Sequence, residues 1–484
     1  MAAIEEGTTG PGREARGARR LPLALIGVAL GLAIGSALLL WPGIAVYDTV
    51  RQYEQALQGS YDDWHPPIMA RLWGLLLALH IGGSGPLLLL QLGLYWGGIG
   101  LIAAALAKTG ARRAGWAILL VGLSPLVVDW MFVVVKDAQM VAAMVGATGI
   151  VAWYRLQGRA LPWAAVAGVA LLLGYAMLLR ANSVFAVVPI ALALQGWAGV
   201  RRWPLRAGLL LLLTLLAIGA SSLVNHQLLG AQRSHVERTQ PIFDLAGIAH
   251  MAQLKTMPGV PEPEWAEAER KRCYMPFYWD PFGDPPRCGA ISTRLLAADG
   301  PSHIERDWVV AILTHPLAYA RHRIGHLNAT LRVAARYDER SAAAPADSEP
   351  NAYGLGIPGD PLMRWLQRFA AAVAETPLGS PAVWLVLAGC IGWTLRGTTR
   401  QPARELGLAL TLSAGLMTAS FAVVSIASDL RYHLWLMAAT GLAAVMLASC
   451  RDIDWHRLRI SWAVVAVMCV VSVVARAYGG PLRF

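Results

Sequence analysis

Charge is scarce in this sequence. Asp, Glu, Lys and Arg make up 15% of its 484 residues, against roughly 25% in an ordinary soluble domain. With 56% hydrophobic residues and a mean hydropathy of +0.48, there is more apolar surface than a soluble core can hide. Cysteine is also sparse, at five, and no CxxC or His/Cys constellation has the spacing of a zinc site. No P-loop, GxSxG or HExxH motif occurs, and no dinucleotide-binding fingerprint follows a strand, so soluble nucleotide-driven chemistry has no support.

What the chain does have is a series of apolar runs of roughly fifteen to twenty-odd residues, close to the roughly twenty that a helix needs to cross the hydrocarbon. The bilayer is therefore its main solvent. The expected fold is an all-α polytopic membrane protein of about eleven transmembrane helices. The net charge of +11 is read as topology rather than as a nucleic-acid surface, because the arginines fall in short clusters between apolar runs. The run over 21–41 ends in Trp-Pro-Gly without a small-residue cleavage site, which reads as a retained first helix with a cytoplasmic N-terminus. With that orientation, eighteen Lys and Arg fall in the N-terminal tail and inner turns, against five in the short outer turns and the first outer segment (Arg51, Arg71, Lys136, Arg180, Arg431), the bias of the positive-inside rule.

The expected organisation has four parts. They are a cytoplasmic tail (1–20), an N-terminal transmembrane module (21–224) with a first outer loop at 43–85, an extracytoplasmic loop domain (225–381) and a C-terminal transmembrane module (382–484). Residues 67–80, apolar but short and carrying Arg71, read as an interfacial helix. So do residues 362–374. Within the loop domain, 308–333 reads as one amphipathic helix and 342–360 as a Pro/Gly/Ala/Ser-rich linker. Cys273 and Cys288 are the two cysteines on the outer, oxidising side and are expected to pair, while Cys390, Cys450 and Cys469 are expected to be free thiols. The location implied is an inner (plasma) membrane, with the active surface extracytoplasmic.

Candidate chemistry gathers at the outer helix ends. Asp48 lies just beyond the first span, where partial desolvation would raise its basicity and suit it to general-base work; the alternative is that it caps the helix beginning there. Asp62, Asp63 and His65 sit in a turn stiffened by Pro66 and Pro67, and each is a candidate for a substrate, for a divalent ion or for a plain turn role. As a metal site the set is weak, since adjacent Asp side chains seldom point the same way and no fourth ligand is identifiable. Arg51, Lys136 with Asp137, Arg180 with Asn182, and Arg431 with Tyr432 fall on the same surface. Cations there suit a lipid phosphate and negative charge developing on it, although a single such cation more often snorkels to headgroups.

The order of these parts resembles the GT-C class of integral-membrane glycosyltransferases, which includes protein O-mannosyltransferases and the aminoarabinose transferase of lipid A. An acid follows the first span (Asp48). An interfacial loop ends in Pro66-Pro67 before an apolar helix, a small-residue span ends in a basic turn (Lys108, Arg112, Arg113), the next span holds Ser124-Pro125, and Arg431-Tyr432 marks a late outer edge. The double acid is Asp62-Asp63 rather than a pair at Asp48, so the base stays open among the three. The resemblance implies transfer of a sugar from a polyprenyl-phosphate donor to an extracytoplasmic glycan, lipid or protein acceptor, inverting if a single displacement occurs. Asp48 would be the base, and Arg431 with Arg180 or Lys136 would hold the departing phosphate. No certain cofactor is implied. A lipid-linked oligosaccharide polymerase or ligase is the rival within the class, and a transporter or flippase the rival outside it.

Overall fold

The structure is a computed structural model, which describes residues 11–195, 199–283, 286–297, 303–335, 342–359 and 361–478, with side chains from residue 20 onward. The first ten residues of the expected tail and Asp360 of the expected linker lie outside the described residues. The described chain is helical almost throughout, and its only strands are two-residue pieces, Tyr61–Asp62 and Ala231–Gln232, paired in parallel.

Five of the described helices are long and apolar enough to cross a membrane: Arg20–Leu40, Gly85–Lys108, Trp203–Leu228, Leu430–Ser449 and Trp455–Tyr478. A sixth is reached if Arg112–Gly122 and Pro125–Phe132, bent by 49° at their break, count as one. The protein is therefore an all-α, multi-pass membrane protein. Length and composition do not carry the count as far as about eleven, because other apolar helices, such as Trp163–Leu179 and Pro381–Gly397, are short.

Exposure separates lipid-facing helices from the core. Thr214 is the one buried residue of Trp203–Leu223, while Leu211, Leu212, Leu215 and Leu216 are all exposed. Trp455–Tyr478 likewise exposes Val464, Val467 and Val470. In water such stripes would be aggregation-prone patches; in a bilayer they face their solvent. Lys136–Arg155 is the opposite case, with a run from Asp137 to Gly149 buried on every side.

Several expected elements are divided by proline. The span expected to hold Ser124-Pro125 breaks there, into Arg112–Gly122 and Pro125–Val128, and the amphipathic helix expected over 308–333 is two helices, Ile304–Thr314 and Pro316–Leu331. Pro316 has no N–H to continue the ladder and pushes His315 out of the helical region, to φ −127° and ψ 53°. The apolar period runs on across the break, through exposed Val309, Val310, Leu313 and Leu317. The helix Val184–Leu194 is followed closely by residues 196–198, which lie outside the described set. The first helix begins earlier than expected, at Pro11.

The loop domain has its own core, built around Phe243, Trp265, Trp279 and Phe282. Cys273 and Cys288 form a disulfide across its Pro- and aromatic-rich segment, and Cys390, Cys450 and Cys469 are free thiols, as expected. Beneath it, Gly85–Lys108 crosses Lys136–Arg155 at glycines. A Cβ on Gly149 would lie 2.6 Å from the Cα of Gly98, and one on Gly98 would strike the Val145 carbonyl. Without a hydrophobic drive between helices in lipid, this close backbone approach is what holds them together. Gly149→Val should therefore destabilise the protein by about 1–3 kcal/mol. Gly93→Ala, on the crossing partner Gly85–Lys108 but with nothing within 4 Å of its Cβ, should leave stability unchanged. Thermal unfolding of both variants in one detergent checks the pair, and equal melting temperatures would refute the crossing.

Candidate functional site

The surface around Asp48 is assembled by two backbone hydrogen bonds and one side-chain hydroxyl. Ile44 pairs with the Phe132–Val134 turn, donating to the Phe132 carbonyl at 2.9 Å and accepting from Val134 N–H at 3.0 Å. The helix Tyr47–Gln58 starts one residue before Asp48. Thr49, not Asp48, secures that start: its hydroxyl accepts from Val46 N–H at 3.0 Å and donates to the Val134 carbonyl at 2.7 Å. The N-cap is Val46, so the capping alternative for Asp48 does not describe this helix. Because the same Val133–Val135 segment leads directly into Lys136, the two pairings bring Asp48 against Lys136.

Four segments far apart in sequence meet there. The Asp48 carboxylate lies 3.8 Å from His65 Nε2, 3.9 Å from Lys136 Nζ and 3.6 Å from an Arg431 guanidinium nitrogen. Lys136 donates to His65 Nδ1 at 2.7 Å, which leaves Nε2 as the ring nitrogen turned toward Asp48. Arg180 pairs with fully buried Asp137, lies 3.8 Å over the Tyr432 ring and donates to Asn182 at 2.9 Å. Arg431 also reaches Asp137 at 3.9 Å and Asp429 at 3.2 Å. The contacts to Asp48 exceed the roughly 2.7–2.9 Å of a charge-assisted hydrogen bond, so the cations are held close without being consumed.

Electrostatics at Asp48 run against the sequence expectation. Burial alone would raise its carboxyl, but Lys136, Arg431, His65 and Arg180 together outweigh it and hold the group well below the usual carboxylate range. His65 is pushed down to about 3, by burial first and by Lys136 next, with Asp48 opposing. Asp48 is thus ionised and His65 neutral throughout the physiological range.

Asp62 and Asp63 go elsewhere. Asp62 accepts from Trp64 N–H at 3.1 Å, lies 3.9 Å from Arg51 and belongs to the short strand paired with Ala231–Gln232. Asp63 accepts from the Ser234 amide and hydroxyl at 2.7 and 2.6 Å, with His226 at 3.5 Å. It works as a clasp between the loop over 43–85 and the chain after Trp203–Leu228. The two side chains point to different partners, and among the described residues no three His, Cys, Asp or Glu groups gather where they could hold a metal ion.

The disulfide segment also reaches the site. Trp279 N–H donates to the Ile426 carbonyl at 2.8 Å and Ser428 donates to the Phe277 carbonyl at 2.8 Å, so residues 277–279 pack on the turn that carries Arg431. Asp280, which sequence reasoning did not single out, has its carboxyl pushed up by burial and then by Asp429. Only its place between Cys273 and Cys288 hinted at it.

No family model and no curated protein matches this chain. Among solved structures, it is similar to the archaeal oligosaccharyltransferase AglB from Archaeoglobus fulgidus, in complex with an inhibitory peptide and a dolichol-phosphate, at 13% identity and a TM-score of 0.34. The match covers 96% of this chain and 56% of that one, so the chain spans just over half the length of the solved protein. At that level no residue of one is equated with a residue of the other.

The field around His65 has a measurable consequence. Its proton affinity is depressed in the folded protein, so the unfolded chain binds a proton there that the folded chain refuses. Stability from this site is therefore complete above about pH 6.5 and erodes as pH falls toward 3. Histidine-selective NMR should show His65 neutral at pH 5. In Lys136→Met, loss of the adjacent ammonium should move its titration upward; an unchanged or lower titration would contradict the arrangement.

Proposed function

We propose that this protein is a GT-C type membrane glycosyltransferase that moves a sugar from a polyprenyl-phosphate donor to an extracytoplasmic acceptor, and that Asp48 is its base. The observation that carries the reading is the convergence of Asp48, His65, Lys136, Asp137, Arg180, Arg431 and Tyr432, from four separate segments, at one point on the membrane surface. The packing of the disulfide-bearing segment 277–279 against the turn leading to Arg431 supports placing that point on the oxidising, extracytoplasmic side. The N-terminus is then cytoplasmic. Residues 225–381 form the outer domain between the two transmembrane modules.

In the proposed reaction the donor's phosphate sits among Arg431, Lys136 and Arg180. An acceptor hydroxyl attacks the anomeric carbon while Asp48 takes its proton. The bond from that carbon to the phosphate oxygen breaks with its electron pair on the phosphate, and the polyprenyl phosphate leaves stabilised by the cations. One displacement inverts the anomeric carbon. Asp137 pairs with Arg180 and lies within reach of Arg431, which suits it to positioning both.

The test is turnover of radiolabelled polyprenyl-phosphate sugars by protein in nanodiscs. Asp48→Asn should lower transfer by about 10²–10⁴ while the protein stays folded and donor binding persists. Arg431→Ala should lose about 10²–10³ in rate. Full activity in Asp48→Asn would remove it as the base.

A further inference from the structure

Beside the cation cluster, the start of the Tyr47–Gln58 helix and the turn after it enclose a second space. It is a cavity of about 270 Å³ lined by Tyr47, Arg51, Asp62, Trp64, His65 and Ser234. That volume is near the lower end, about 300 Å³, of small-molecule clefts, which suits one ring better than a long chain. Its cation is already committed: Arg51 bonds Glu54 at 2.8 Å and approaches Asp62 at 3.9 Å. The wall thus has no spare positive charge for a phosphate.

What it does offer is two uncovered rings among polar groups. Tyr47 is 64% exposed and Trp64 36% exposed, although Thr49, Gln52 and His65 around them are buried. The wall is also built to keep its shape. Trp64 N–H donates to Asp62 at 3.1 Å, and Ser234 is fastened from the opposite loop by two hydrogen bonds to Asp63. Such a preorganised wall loses little freedom when it binds. Flat apolar rings beside a carboxylate, a guanidinium and a hydroxyl complement a pyranose, which presents a C–H face and a rim of hydroxyls.

We propose that this cavity binds the sugar ring of the acceptor, so that the acceptor is a glycan or glycolipid headgroup rather than a protein. His65 lines the cavity and stands 3.8 Å from Asp48, which sets a ring stacked on Trp64 with one hydroxyl toward that carboxylate. This assignment deepens the glycosyltransferase reading and rests on it for the reaction, but its binding step is separately measurable.

Nanodisc-embedded protein is titrated by saturation-transfer NMR with a panel of methyl glycosides and with a blocked serine tripeptide, and by calorimetry with undecaprenyl phosphate. At least one glycoside should bind wild type. Its affinity should fall by about tenfold or more in Trp64→Ala and in Asp62→Asn and be largely retained in Trp64→Phe. Undecaprenyl phosphate affinity and the melting temperature should stay within error of wild type in all three, which shows that the variants are folded. Absence of any Trp64-dependent glycoside signal, or a Trp64-dependent signal from the tripeptide instead, overturns the assignment. Glycoside binding without undecaprenyl phosphate binding in wild type would keep the sugar site and reject the lipid-phosphate donor.

Discussion

A carboxylate taken out of water beside a membrane must either find cations or give up its charge. Asp48 finds Lys136 and Arg431 within 4 Å of it, with Arg180 adding a weaker pull, and much of the surrounding architecture serves to keep them there. The cost of gathering like charges is shared among partners. Asp137 takes Arg180, Asp429 and Asp48 share Arg431, and Lys136 spends its hydrogen bond on a neutral histidine. Removing any one of these carboxylates would leave buried positive charge uncompensated, a larger penalty than the loss of the pair itself.

Position comes from the backbone rather than from the ions. The Ile44 pairing and the Thr49 hydroxyl bind the loop over 43–85 to residues 132–134. The Tyr61–Asp62 pairing and the Asp63 clasp bind it to the chain leaving Trp203–Leu228. The helices that carry Lys136 and cross beneath meet at Gly98 and Gly149, where no side chain separates them. Charged groups on long side chains are poor rulers, and here they are aimed from short, directional hydrogen bonds on either side.

Much of this was legible in the sequence for a simple reason. Asp48, Lys136, Arg180 and Arg431 each stand just past an apolar run, and alternating the direction of the runs puts all four on one face. Cys273 and Cys288 were legible because compartment governs their pairing. The division at Pro316 was available and was missed because the apolar period through Leu313 and Leu317 ignores the break. The Ser234–Asp63 clasp and the approach of Asp280 depend on how distant loops register, which no local pattern encodes. The state of Asp48 was misjudged for the same reason. Burial could be inferred from its place after a span, but the number of cations around it is a tertiary fact, and that number reverses the direction of the shift.

That reversal bears on how such a site would act. A carboxylate held ionised by surrounding cations is a weak base while the site is empty. A lipid phosphate brought among Lys136, Arg180 and Arg431 would add negative charge to the same group of side chains and cancel part of the field that lowers Asp48. The proton affinity of Asp48 would then rise, because the burial that favours its protonated form remains while the opposing charges are neutralised. On the glycosyltransfer reading, the donor itself prepares the base. As the phosphate leaves carrying more charge, the cations turn toward it and Asp48 keeps the proton it has taken. The same cations that suppress the base before binding would stabilise the leaving group afterward, so one set of three side chains gives the reaction both its restraint and its direction.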